Sequence, residues 1–231
     1  MVHCKYITVM TVILATMVTA AQPVCAYGQN GQDAPVVHFV WAFGALVGPP
    51  DSRKLIAVDR DLALHSGDRL KFMVSQKTPC FVYLFHLSGK KELTLLYPPE
   101  FNDDAVQPGV VVLVPPDDRW FALDEETGTE KFYLLACHRR LSQLEDRYLH
   151  YLSVDKDADR QAAVEDIVET IKGLRRQHLR NTAPVERPIH LGGGFRGGEE
   201  PIRSFPPDLS AIAVEISAST FYSRTFTIDH R

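Results

Sequence analysis

Cys80-Phe81-Val82-Tyr83-Leu84-Phe85-His86-Leu87, Ser88-Gly89-Lys90-Lys91, Leu93-Thr94-Leu95-Leu96-Tyr97: this stretch decides the fold class. Its first run is β-branched and aromatic, its middle is turn chemistry, and its last run is apolar again until Pro98-Pro99 stops it. That pattern reads as a β-hairpin. Working upstream, Ser66-Gly67-Asp68 is a turn, after which Leu70, Phe72 and Val74 alternate with Arg69, Lys71 and Ser75, so one face of a strand is buried. Before it, Val36 to Phe43 reads as a strand bounded by Gly48-Pro49-Pro50, and Lys54 to Val58 as another. Downstream, Val110 to Val114 is an apolar strand closed by Pro115-Pro116. Arg119 to Leu123 and Lys131 to Cys137 then flank Asp124 to Thr129 as a second hairpin-like connection. Short strands with turns at this spacing specify a sandwich or barrel, not a parallel sheet.

The period then changes. Leu141, Leu144, Tyr148 and Leu152 mark one helical stripe, and Val164, Ile167, Val168, Ile171 and Leu174 a second, with Asp157 or Asp159 as its cap. Residues 182–207 are rich in proline and glycine, including Gly192 to Gly194 and Gly197-Gly198, and read as a loop. Two strands close the chain over 210–230. The expectation is therefore a mainly β, antiparallel β-sandwich-like domain over 36–231. It carries a two-helix insertion at 141–180 and a C-terminal β-hairpin.

At 231 residues and 45% hydrophobic content there is enough chain for one core, and the mean hydropathy of −0.11 excludes a multi-spanning membrane protein. A net charge of −4 gives no basic footprint for nucleic acid. The N-terminus has the three-part form of a secretory signal: Lys5, an apolar run from Ile7 to Ala21, then Pro23 and Val24-Cys25-Ala26, with Tyr27 starting the mature chain and 27–35 as linker. Val18-Thr19-Ala20 is an alternative cut. The run is short for a transmembrane anchor and ends in a helix breaker, so no stable membrane span is expected once residues 1–26 are removed. Lipidation of Cys25 is disfavoured because Val24, not a small residue, precedes it. The localisation expected is periplasmic or secreted. Cys80 and Cys137 are then the two cysteines left. They stand at the start and end of two strands that could pair antiparallel, so a disulfide between them and two separate buried thiols both remain open.

Residues 62 to about 138 carry a series of short signatures: Leu64-His65-Ser66-Gly67-Asp68, Tyr83-Leu84-Phe85, Leu95-Leu96-Tyr97-Pro98, Gln107-Pro108-Gly109, and Phe121 to Leu135 with Gly128 at its turn. In this order and spacing they resemble the bacterial domain of unknown function 4384 family. The resemblance implies a small β-sandwich-like module of exported proteins, or one that stands beside other domains. It implies no catalytic residues.

Motifs for chemistry are few. Asp155-x-Asp157-x-Asp159 with Asp166 at the twelfth position resembles a calcium loop, but Arg160 stands where such loops need glycine and the helical stripe already runs through it. The glycines at 192–198 lack the lysine of a phosphate loop. Cys137-His138 lacks the first cysteine of a haem attachment motif, since Leu134 holds that place. The histidines show no zinc spacing, and no nucleophile elbow exists. No catalytic residue, metal or other cofactor is therefore assigned. Tyr97, Phe101 and Trp120, at strand ends, read first as closing the ends of the core and are at the same time the candidates for a partner surface. The functional expectation is an exported non-enzymatic module for protein–protein interaction or envelope assembly, with an unknown protein partner in the cell envelope. An unrecognised extracytoplasmic hydrolase and a small-ligand or ion-binding protein are the alternatives, and a cluster of His and Asp/Glu in one pocket would favour the hydrolase.

Overall fold

Strand alternation sorts the apolar residues into rows, and the rows build two sheets. In the computed structural model, which describes residues 37–59, 61–101, 107–179, 184–189 and 208–231, the strands are β1 (Val37–Val47), β2 (Lys54–Ala57), β3 (Leu62–Leu64), β4 (Arg69–Gln76), β5 (Phe81–Leu87), β6 (Leu93–Tyr97), β7 (Val111–Val114), β8 (Phe121–Ala122), β9 (Gly128–Cys137), β10 (Val185–Pro188), β11 (Val214–Ala218) and β12 (Phe221–His230). Two helices, α1 (Ser142–Ser153) and α2 (Asp157–Leu179), follow β9. The signal segment 1–26 with its Ala26-Tyr27 cut, the linker 27–35 and the glycines at 192–198 lie outside the described residues.

One sheet runs β10-β11-β1-β4-β7, with β2 added to β1 and β8 to β4; the other runs β3-β12-β9-β5-β6. Among the described residues every pairing is antiparallel except β12 with β3. The fold is thus the mainly β, sandwich-like one expected, with open sheet edges. Between the sheets lies an apolar core to which every second residue contributes: Phe39, Trp41 and Phe43 from β1, Phe72 from β4, Phe132 and Leu134 from β9, and Phe226 from β12. Phe43 stacks on Phe72 with ring centroids 3.6 Å apart, and Phe226 meets both edge-on. The opposite faces of β5 and β9 are buried as well, under α1 and α2, through Tyr83, Phe85, Tyr133 and Leu135 against Leu144, Tyr148, Ile167 and Ile171. Burial on both faces explains why Phe81 to Leu87 and Phe132 to Cys137 are continuous apolar runs.

Four expectations are corrected. The C-terminal strands do not form a hairpin: β11 pairs with β1 and β10, whereas β12 pairs with β9 and β3. The connection from Arg119–Leu123 to Lys131–Cys137 likewise crosses between sheets, since β8 pairs with β4 and β9 with β5 and β12. Turn residues look the same in both situations, and the partner of each strand is set by distant residues. Within the segment read as loop, Val185–Pro188 forms an edge strand, because β11 supplies the backbone partners its own sequence does not advertise. Asp157 and Asp159 fall inside the first turn of α2, where they meet the positive end of the helix dipole. Among the described residues no helix is long and apolar enough to cross a membrane.

Candidate functional site

Three inward-facing rows of the β3–β6 sheet do not stay apolar to their ends. On β5 the row is Val82, Leu84, His86; on β9 it is Glu130, Phe132, Leu134; on β12 it is Phe226, Ile228, His230. Registry brings the three ends together, because Phe132 lies opposite both His86 and Phe226, and Gly128 opposite His230. The result is one polar cluster on the floor of a cleft of about 380 Å³ at one end of the sandwich.

Each central group there has a defined partner. His86 Nε2 donates to Glu130 Oε2 at 2.5 Å, and the His86 ring stacks on Phe132 at 4.6 Å. The Gly89 backbone N–H donates to Glu130 Oε1 at 3.1 Å. That reach depends on two glycines. A Cβ at Gly89 would stand 3.3 Å from the Cα of Gly128, and Gly128 has a φ of +156°, in the region that favours glycine. Burial opposes ionisation of Glu130, but the hydrogen bonds from His86 and Gly89 and the nearby charges of His86 and His230 prevail and hold its carboxyl below the ordinary range. His230, 2% exposed, is hydrogen-bonded through Nε2 to Ser66 Oγ at 3.1 Å. Ser66 itself is exposed and does not line the cleft. The rim adds Lys90, paired with Glu126, together with Glu92 and Asp124, over an apolar wall that includes Leu96 and Phe121.

Of the residues expected to form a partner surface, Tyr97 and Phe101 line one small recess, and Trp120 stands apart from them. Tyr97 is buried, 7% exposed, and belongs to the core between the sheets. Phe101 is half-buried against Tyr83 and Tyr148. Trp120 packs instead on the outer face of the other sheet, with Lys71 Nζ 5.4 Å from its ring centroid and Asp117, Asp118 and Asp208 around the same hollow. The alternation that turns Tyr97 inward buries most of it and leaves only an edge on the wall of that recess. Cys80 and Cys137 are both free and buried. The antiparallel pairing of their strands is present, but Cys137 lies opposite Phe81, one residue from Cys80, so the two thiols belong to opposite faces of the sheet. Among the described residues no group of three His, Cys, Asp or Glu side chains is arranged to hold a metal ion.

His86, Glu130 and His230 escape a search for motifs because they are 44 and 100 residues apart. A usable signal was nonetheless present. Each continues, at a spacing of two, an alternating apolar row that points into the core.

Residues 63–140 match a family model described as "Domain of unknown function (DUF4384)". This bears out the resemblance read from residues 62 to about 138. The matched segment supplies β4, β7 and β8 to one sheet and β5, β6 and β9 to the other; β1, β11 and β12 lie outside it and complete both sheets. No curated protein and no solved structure matches the chain.

Proposed function

From the match of residues 63–140 to the DUF4384 family model and from the N-terminal sequence, we propose that the mature chain is an exported, non-enzymatic binding module acting in the periplasm or outside the cell. Its partner is an envelope protein engaged at the cleft of His86, Glu130 and His230. The observation that carries this reading is that the cleft's central groups are tied to the protein's own groups: His86 through Nε2 to Glu130, Glu130 also to Gly89, and His230 through Nε2 to Ser66. A site so arranged is a pre-formed charged recess in which both oxygens of Glu130 are engaged by the protein. Glu92, Asp124, Glu126 and Glu130 outnumber Lys90 on its lining, so the recess suits a segment presenting a basic side chain beside an apolar one. Export rests on the N-terminal sequence pattern: a positive start, an apolar run and a small residue at the cut.

A photo-crosslinking residue placed at Glu126 on the cleft rim, and separately at the exposed Leu149 of α1, tests the reading in the producing bacterium. A discrete adduct from the first position alone is expected. Identical adducts from both positions, or none from the rim, would overturn it. The hydrolase is the second reading, favoured by the gathering of two histidines and a carboxylate in one cleft. Turnover of an ester, amide or phosphodiester by the purified mature chain, abolished in His86→Gln and Glu130→Gln, would replace the binding module with an enzyme.

A further inference from the structure

The edges of the two sheets are not protected alike. At β6 the Leu93 and Leu95 N–H groups donate to the Tyr151 and Tyr148 hydroxyls of α1, β10 carries Glu186, Arg187 and Pro188, and β3 is only three residues long. Covering side chains, charges, proline and shortness are the usual means of keeping a strand edge from pairing with another chain. The β7 edge lacks the first three. It reads Val111-Val112-Leu113-Val114, pairs with β4 on one side and, among the described residues, has no strand on the other. At its start Val110 and Val111 are 49% and 57% exposed.

The ground beside this edge is acidic. Alternation turns Val112 and Val114 to the core between the sheets and Leu113 to the outer face, where it shares a hollow of about 380 Å³ with Met73, Trp120 and Leu209. Asp117, Asp118 and Asp208 line the same hollow. Lys71 lines it too, but is 4% exposed and turned in: its Nζ donates to the Asp117 carbonyl and lies 5.4 Å from the Trp120 ring centroid. Arg119 reaches back to the Asp117 carboxylate at 3.8 Å. Three carboxylates against Lys71 and Arg119 leave the hollow with an excess of negative charge, next to an edge that is itself apolar.

We propose that the β7 edge is a docking site for an extended, basic segment of another protein, which adds a strand beside Val111–Val114 and lays a basic side chain into the hollow of Asp117, Asp118 and Asp208. Main-chain bonds supply the attachment and alternate side chains the selection. A second copy of this chain fits less well. Antiparallel pairing of β7 with itself sets Gln107 to Gly109 of one chain against Asp117 and Asp118 of the other, and brings no basic side chain to them. The hollow shares no lining residue with the cleft of His86, Glu130 and His230 and does not depend on the role given to it.

The probe is the peptide acetyl-Val-Arg-Val-Arg-Val-amide, set against its counterpart with glutamate for arginine and against a copy N-methylated throughout. Titrated to about 2 mM into the isotope-labelled mature chain, the range open to so short a segment, the arginine peptide is expected to shift the Val111–Val114 amides and the Trp120 indole N–H in nuclear magnetic resonance spectra. The glutamate peptide should bind about fivefold more weakly, the worth of one or two exposed ion pairs, and the gap should close in about 1 M salt. The N-methylated copy, which has no main-chain donors, should not bind. Asp117→Asn combined with Asp118→Asn should abolish the preference for arginine; asparagine tolerates the φ of +58° at residue 117. If that variant fails to fold by circular dichroism, the three peptides on the unmutated chain decide. Equal binding of the arginine and glutamate peptides, binding of the N-methylated copy, shifts confined to the cleft, or no shift at all would each overturn the proposal. So would shifts along β7 that grow with protein concentration alone, which would assign the edge to a second copy.

Discussion

The two faces of β5 and β9 are both buried under apolar groups, yet the outer one adds a network of directional bonds. The inner face meets the other sheet through rings and aliphatic groups, with Phe43 and Phe72 in contact with each other and each with both Phe132 and Phe226. The outer face meets α1 through a polar network. Tyr83 donates to Glu145 and accepts from the Leu141 N–H at 3.1 Å, while Arg140 binds Glu145. Tyr148 and Tyr151 accept from the Leu95 and Leu93 N–H groups at 2.9 and 3.2 Å. Those two donors belong to β6, an edge strand, so the helix covers backbone groups that would otherwise invite another chain. Non-directional packing thus secures the sandwich, and directional bonds fix where the helices sit.

The largest effect should come from breaking the inner face. Phe43→Ala removes a ring in contact with three others and should lower stability by about 4 kcal/mol, read from urea unfolding followed by circular dichroism. On the outer face, Glu145→Ala should destabilise by about 3 kcal/mol, because it leaves the half-buried Arg140 and the Tyr83 hydroxyl without their shared partner. A Glu145→Ala cost close to zero would show that the helical face is held by packing after all. The two losses should add within about half a kcal/mol, since the side chains lie on opposite faces of the sheet.

At the cleft the contrast becomes a pH dependence. Glu130 ionises more readily in the folded chain than in the unfolded one. Its contribution is therefore complete above the ordinary glutamate range and is lost as pH falls through the lowered folded value. Glu130→Gln should cost about 2 kcal/mol at neutral pH, with the gap to wild type narrowing as acid protonates the carboxyl. Unfolding curves of the two proteins at a series of pH values from neutral to acid measure it. A gap that does not change with pH would mean that Glu130 is held no differently in the two states.

Much of this architecture is legible in the residues themselves. Leu70, Phe72 and Val74 announce a buried face, and Val164 to Leu174 announce a helix lying on something apolar. The partnership of strands is not legible in this way. Ser219-Thr220 and Asp124 to Thr127 look like hairpin turns but carry the chain from one sheet to the other, because β1 and β4 offer better partners at a distance than the adjacent strand does. The cleft was half legible: the rows ending in His86, Glu130 and His230 could be read from alternation, but their convergence required the pairing.

The smallest effect is also the sharpest test of the division between the faces. Tyr148→Phe keeps the ring, which packs edge-on against Phe85 at 5.5 Å, and deletes only the hydroxyl that accepts from Leu95. If the outer face is held by directional bonds, the cost is about 1 kcal/mol even though almost no apolar volume is lost. Hydrogen exchange at the Leu95 amide should accelerate by more than global destabilisation alone explains, because that N–H faces no strand and has lost its acceptor. An unchanged stability with a still-protected Leu95 amide would place the helix under the same non-directional packing as the core, and the contrast between the two faces would disappear.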